Sequence, residues 1–541
     1  MSTNVSSDGD MEKKGLPTAA VEEGDSAPYT GAQLADAEEH KASIVQAIKE
    51  NKQAVLWCIF AIWTSLLVSF DANASGNALG IVEFRKDFGS YYQGGWVLAA
   101  QWQSLFWAGP SASSVVSALF CGQISDYIGR KWTIVIALVI SYVAITLEIV
   151  ASGQNGNGIF FAGRFLNGFV VGLLITVCSS YIGEIAPLAL RGLMTAMIAF
   201  VYALAPLIVS LIVNSTGTQT TPWAYRTVFI TQYGFVGVAT LLIPWMPESP
   251  WWLASKGRDE QALKTLRKLG SATDADATRK LDLIKVTLEK ARQETEGATY
   301  IECFRYSNLR RTMVSTLPLS IQAMGGILFI NGYLTYYAQL AGYSTPDSYH
   351  LSIIYNVVSI CGCVCSWFVI DKVGRRNLTL GGTAALTVVL LIAGGLATTK
   401  KTPDIRGVIA MMMIYTFVYS ITIGSTAYTI LTENATARLR VKTIGIGVAF
   451  QGVWYTVMNI ALPYLFNPNE ANLGAKVSFI FGGISVLSCI YLYFQQPETA
   501  HRSYEELDLM YAAKVPAREF KKYITEVQMQ ISNGVKGEES I

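Results

Sequence analysis

The sequence predicts an all-α membrane protein with twelve transmembrane helices in two six-helix halves and both termini cytosolic. Three observations carry this. Of 541 residues, 51% are apolar and only 15% charged, against the ~25% charged usual in soluble domains; the mean hydropathy is +0.35. Apolar runs of about 20 residues, enough to cross a ~30 Å hydrocarbon core, recur from Ala54 onward. Polar signatures of the first half also return in the second, about 250 residues later.

The chain divides accordingly. Residues 1–53 are polar and acidic, without the basic-then-apolar start of a secretory signal, and read as a cytosolic tail with a short amphipathic helix near Ala35–Ile48. Residues 54–246 form the first half, with spans at 54–76, 100–124, 132–152, 158–180, 192–213 and 226–246. A polar cytosolic segment with short helices covers 247–312. The second half, 313–495, has spans at 313–336, 350–370, 377–397, 407–431, 444–465 and 474–495, and residues 496–541 form a second cytosolic tail. The alternating pattern of a membrane β-barrel is absent. Basic residues set the orientation: Arg130, Lys131, Arg191, Lys372, Arg375, Arg376, Arg438, Arg440 and Lys442 all fall in connections on the side of the tails.

Composition excludes other classes. A net charge of +2 gives no support for nucleic-acid binding. Eight cysteines in so long a chain make no disulfide framework. His40, His350 and His501 are scattered, and Cys361, Cys363 and Cys365 alternate at i, i+2, which points neighbouring thiols to opposite sides of a helix; no metal site is expected. No nucleophile–base set or phosphate loop marks an enzyme, and no cofactor is expected. Asn214-Ser-Thr216 is a glycosylation sequon in an expected outer loop.

Asp126-Tyr-Ile-Gly-Arg-Lys131 returns as Asp371-Lys-Val-Gly-Arg-Arg376. Glu184 with Arg191 returns as Glu433 with Arg438 and Arg440, and Pro247-Glu-Ser as Pro497-Glu-Thr. Two duplicated halves place a transport site between them near the bilayer midplane.

GQISDYIGRK (122–131), GRFLNGFVVG (163–172), EIAPLALRG (184–192), PESPWWLASKGR (247–258), DKVGRR (371–376) and PETAHRSYEELD (497–508) together resemble the sugar-porter family of the major facilitator superfamily. Trp102-Gln103, GYLTYYAQLAG (332–342), SWF (366–368), AYTILTENATARLRVKT (427–443), LPYLFNP (462–468) and VPAREFKKY (515–523) are most similar to fungal α-glucoside:proton symporters within it. The resemblance implies the major facilitator fold. It also implies a cytosolic charge latch, made by Asp126, Arg130, Glu184, Arg191, Asp371, Arg375, Glu433 and Arg438, that joins the halves in the outward-open state. A purely topogenic role for these arginines, with the acids capping helices, is the competing reading.

Ionisable groups inside spans cost about 2.5 kcal/mol or more unless paired or wet. Asp71 lies roughly 25 Å up the first span and Arg164 roughly 21 Å up the fourth, at 1.5 Å per residue. An ion pair at that level, broken by protonation of Asp71, would couple a proton to the conformational switch, and the resemblance implies the same Asp and Arg in proton-coupled members. Two alternatives stay open. Asp71 ends its helix in interfacial water, or Glu148 in the third span is the partner of Arg164.

For the substrate, the resemblance carries Gln322, Tyr428 and Gln451 over as sugar contacts. Ala323, Leu328 and Ala199 stand where the family has amides, and Ser359 where it has an Asn. Asn331, Tyr333, Tyr336, Tyr337, Gln232, Asn356 and Asn459 are the groups able to compensate. The expected activity is import of a sugar, of disaccharide or α-glucoside type, by proton symport through alternating access. The alternatives are a carrier for a less hydroxylated organic solute, such as a natural product or cyclic acid, and a nutrient sensor with little transport. The expected partners are the small-molecule substrate, the proton and the lipid bilayer, with the chain monomeric and in the plasma membrane.

Overall fold

In hydrocarbon each backbone N–H and C=O must find its partner within the segment, so the apolar runs fold as helices. The computed structural model describes residues 48–523 apart from 93–94, 154–155, 271–272, 296–298, 400–401, 436–438, 501, 503 and 522. The tails beyond, including the expected helix near Ala35–Ile48 up to residue 47, lie outside the described residues.

The first half contains α1 (Lys52–Leu79), α2 (Val82–Phe88), a two-residue-linked hairpin of β1 (Ser90–Tyr92) and β2 (Gly95–Val97), α3 (Ala100–Ile128), α4 (Arg130–Val150), α5 (Asn157–Ile185), α6 (Leu188–Thr216) and α7 (Trp223–Leu242). Four helices follow: α8 (Pro250–Ser255), α9 (Asp259–Leu269), α10 (Asp274–Thr295) and α11 (Tyr300–Cys303). The second half has α12 (Tyr306–Met324), α13 (Ile327–Leu340), α14 (Thr345–Val373), α15 (Arg375–Leu396), α16 (Thr402–Ile421), α17 (Ile423–Asn434), α18 (Arg440–Phe466) and α19 (Ser478–Gln495), and α20 (Tyr504–Ala512) trails it. Among the described residues, 11 helical stretches are long and apolar enough to cross a membrane; the remaining expected span, 192–213, lies in α6, whose apolar part is Phe200–Thr216.

The elements depart from the sequence expectation in three places. The spans expected at 313–336 and 407–431 are each broken: the first at Gly325-Gly326, where Gly326 takes φ +95 against Phe481, and the second at Thr422, with φ −103 and ψ −105. The connection after the first span is not a plain loop. Helix α2 seats Phe84 and Phe88 in an aromatic cluster with Phe106, Phe160 and Tyr225, at centroid distances of 4.8 to 6.2 Å. Asn214, expected in a loop, stands in the last turn of α6, which runs on to Thr216 as the Ser215 and Thr216 hydroxyls bond back to the Ile212 carbonyl.

Helix α1 starts, and α19 ends, on what we term the tail face, where α8–α11 also lie. There Trp252, Leu253, Leu266, Leu281 and Ile284 form a separate apolar cluster, and the Trp252 indole donates to the Asp126 carbonyl at 2.9 Å. On the second half α20 is held by the Tyr511 hydroxyl donating to Asn434 Oδ1 at 2.8 Å.

The halves meet toward the opposite, far face. Gln103 donates to the Tyr333 hydroxyl at 3.1 Å and accepts from Asn467 at 2.7 Å. Arg85, buried, donates to Gln339 Oε1 and to the Leu79 carbonyl at 2.9 and 3.0 Å, and Gln339 donates to the Gly80 carbonyl at 2.7 Å. Backbones touch at Gly76 of α1 and Gly332 of α13, where a Cβ on Gly76 would lie 3.5 Å from the Gly332 Cα.

Candidate functional site

A polar cluster sits inside the first half. Asp71 is 1% exposed and lies eight residues before the end of α1, so it is not an interfacial helix end; that reading is corrected, because α1 continues unbroken past it. Arg164 Nη1 on α5 donates to Asp71 Oδ1 at 2.5 Å and to Glu148 Oε1 on α4 at 3.5 Å. Both carboxylates thus reach one guanidinium, Asp71 the closer.

Two amides close the cluster. Asn167 Nδ2 lies 2.6 Å from Asp71 Oδ1, 3.1 Å from Gln232 Oε1 and 3.4 Å from Glu148 Oε1, and Gln232 Nε2 lies 3.3 Å from Asp71 Oδ1. Sequence reasoning missed Asn167, although it follows Arg164 by three residues and so shares its helix face. All five side chains are buried, yet Glu148 Oε2 and Arg164 Nε have no hydrogen-bond partner among the described residues. Two carboxylates and one guanidinium carry a formal excess of one negative charge in a poorly solvated place. One proton makes the set neutral.

On the tail face the same clasp occurs twice. Arg130 pairs with Asp126 at 3.0 Å and Glu184 at 2.8 Å, and Arg375 pairs with Glu433 at 3.0 Å. Glu248 accepts from the backbone N–H of Arg130 at 2.8 Å and of Lys131 at 3.2 Å, and Glu498 from those of Arg375 and Arg376 at 2.8 and 3.2 Å. Each carboxylate thus caps a helix N-terminus, where the peptide dipoles favour an anion. Burial pushes the Glu248 carboxyl above its ordinary value, and the N–H bonds pull the other way. Gly129 and Gly374 make the turns, at φ +98 and +89, and a Cβ on either would run into the capping carboxylate. The side chains of Arg191, Asp371 and Arg438 lie outside the described residues. Among the described residues these pairs clasp helices within one half and do not join the halves, which in this conformation meet toward the far face instead.

A cavity of about 220 Å³ opens between the halves. Ser69, Asn73 and Tyr202 line it from the first half, and Asn331, Asn356 and Tyr419 from the second, with Ser359 also in its wall. The expected substrate residues divide around it. Asn331 and Asn356 are in the lining; Asn356 donates to Ser210 Oγ at 2.9 Å. Gln322, Tyr428 and Gln451 stand outside it and satisfy one another: Gln451 donates to Gln322 Oε1 at 2.8 Å, Tyr428 to Gln451 Oε1 at 3.2 Å, and Gln322 to the Ile423 and Gly424 carbonyls. Tyr333 is fully buried, its ring 4.9 Å from Trp107 and 4.6 Å from Phe466. The far-face bonds of Gln103, Arg85 and Gln339 close the path on that side of the cavity.

The profile of the family described as "Sugar (and other) transporter" matches residues 57–511. The chain belongs to this family. It is a multi-pass membrane transporter, not an enzyme. Alpha-glucosides permease MPH3 of Saccharomyces cerevisiae is 29% identical over 500 residues, covering 91% of this chain and 82% of the permease. Maltose permease MAL31 of the same yeast is 28% identical over 499 residues, with 91% and 81% covered. The inward-open structure of the xylose transporter XylE from E. coli aligns with a TM-score of 0.69 at 20% identity, over 84% of this chain and 99% of that one. The likeness to XylE establishes the major facilitator fold for this transporter.

Proposed function

We propose that this transporter imports an α-glucoside or disaccharide across the plasma membrane together with a proton, as a monomer. The observation that carries the reading is the buried Asp71–Arg164 pair with Glu148 beside it, set in a helix that also lines the cavity between the halves. Protonation removes the excess charge and releases Arg164 from Asp71, so that α1 is free to shift against α5. Substrate enters the cavity when the halves part at the far face, taken as the outside from the basic residues around the tail face. The curated relatives, permeases for alpha-glucosides and maltose, support the substrate class. The path runs between the two halves of one chain, so no second copy is needed to complete it.

A second reading has one specific support. Gln322 and Gln451 are bonded to each other, and the cavity wall includes Tyr202, Tyr355 and Tyr419, a surface suited to a less hydroxylated organic solute. Labelled maltose and methyl α-glucoside uptake, in cells lacking their own α-glucoside transport, separates the two. Sugar-induced alkalinisation of the medium is the expected result. Uptake of no sugar in the panel would overturn the sugar reading, and sugar uptake without alkalinisation would overturn the coupling.

A further inference from the structure

Helix α1 has two working faces at one level. Asp71 points into the cluster of Arg164, Asn167, Glu148 and Gln232, while Ser69 and Asn73, four residues apart and hence on one helix face, line the cavity. Asn73 Nδ2 donates to the Ser69 carbonyl at 2.8 Å, and Asn73 Oδ1 accepts from Asn331 Nδ2 at 3.1 Å. This last bond crosses from the first half to the second inside the cavity.

The two amides have bonding capacity to spare. A primary amide has two N–H donors and an oxygen with two lone pairs. Asn73 uses one donor and one lone pair, and Asn331 one donor, in the bonds given above. Asn331 is exposed and Asn73 partly so, although both lie between the halves. The capacity left over faces the cavity. It matches neighbouring hydroxyls, each of which both donates and accepts.

We propose that Asn73 and Asn331 read the substrate's hydroxyls as a pair: a vicinal diol takes the place of the Asn331–Asn73 bond and bridges the two halves. The inference rests on the sugar reading above and adds the residues that recognise it. One inter-amide bond is exchanged for bonds from each amide to the ligand, so a diol keeps this pair of helices tied once the direct Asn331–Asn73 bond has opened. The ligand then holds α1 two residues from Asp71, on the opposite face from the proton cluster. An apolar solute, or a sugar lacking that diol, breaks the inter-amide bond without replacing it.

The test is equilibrium exchange in proteoliposomes containing the full chain, without a proton gradient. Labelled maltose is competed by methyl α-glucoside and its four monodeoxy analogues. The wild type should lose about fivefold to tenfold in affinity for the analogues missing either hydroxyl of the diol, as expected for a lost hydrogen bond that leaves a polar group unpaired. Asn73→Ala and Asn331→Ala should each bind the parent glucoside more weakly by a similar factor and lose that discrimination. The double variant should be little worse than either single one. If both variants bind all analogues equally weakly relative to wild type but keep the discrimination, the pair is only a structural seam and the inference fails. Should Asn73→Ala not fold, Asn331→Ala on the other half decides by the same measure. Exchange of no glucoside by the wild type would instead overturn the sugar reading, and the inference with it.

Discussion

Glu248 holds the N–H groups of Arg130 and Lys131 over a Gly129 turn, and 250 residues later Glu498 holds those of Arg375 and Arg376 over Gly374. The interiors of the two halves share nothing comparable. The first buries Asp71, Glu148 and Arg164; the crossings of the second have no Asp, Glu, Lys or Arg in their interiors and rely on Gln322, Gln451, Asn331, Asn356 and hydroxyls. What both halves keep is the clasp that ties helix ends together. What one half alone holds is intramembrane charge, which is too costly to retain without use. The clasp is duplicated and the intramembrane charge is not, which makes the first half the place to look for the driving proton.

The largest break in this comparison is Asp71→Asn. If the first half alone handles the proton, uphill accumulation falls to the equilibrium ratio at every pH, while counterflow down a sugar gradient survives; accumulation of labelled sugar against external pH measures both. Glu148→Gln removes the more distant carboxylate and leaves the Asp71–Arg164 pair. Its accumulation should fall between the wild type and Asp71→Asn, and values as low as those of Asp71→Asn would make Glu148 the primary site. Gly129→Ala and Gly374→Ala sharpen the other side of the comparison. Each forces a Gly-only backbone against a capping carboxylate and should cost about 1–3 kcal/mol, read as matched losses in thermal midpoint in detergent. A loss in one half only would mean that the two clasps are not equivalent. Smallest of all, Cys361→Ser with Cys363→Ser should leave uptake and stability within about 0.5 kcal/mol, since neither thiol has a metal or disulfide partner among the described residues.

Much of this was legible in the chain because it depends on length and rise. Counting 1.5 Å per residue put Asp71 and Arg164 at one depth, and the structure bonds them. Glu148 was equally visible, and its choice between roles dissolved because one guanidinium reaches both acids. Asn167 escaped because a neutral amide inside a span leaves no charge signal, although its offset of three from Arg164 would have sufficed. The helix breaks at Gly325-Gly326 and Thr422 were hidden, since hydropathy is continuous across them. The sugar contacts carried over by resemblance depend on bonding choices that a sequence does not encode. Gln322, Tyr428 and Gln451 sit together, but they are occupied with one another, and a motif does not reveal which partner an amide prefers. The resemblance implies an arginine latch between the halves in the outward-open state; in the present conformation the pairs among the described residues lie within each half, and spacing along the chain does not distinguish the two arrangements.

The touching glycines of α1 and α13 have a kinetic meaning. Gly76 and Gly332 meet backbone to backbone, with no side chain from either interlocking with the other. Each atom pair lost on separation gives up only about 0.1–0.2 kcal/mol, and here few pairs exist to lose. At this one crossing the far-face rim is thin, while beside it Trp107 packs edge to face on Tyr333 and the Arg85 guanidinium lies over the Tyr336 ring. The glycine crossing lets two backbones slide past each other without interlocking side chains, so the resistance to the swing of one half over the other is concentrated in the Trp107–Tyr333 contact beside it.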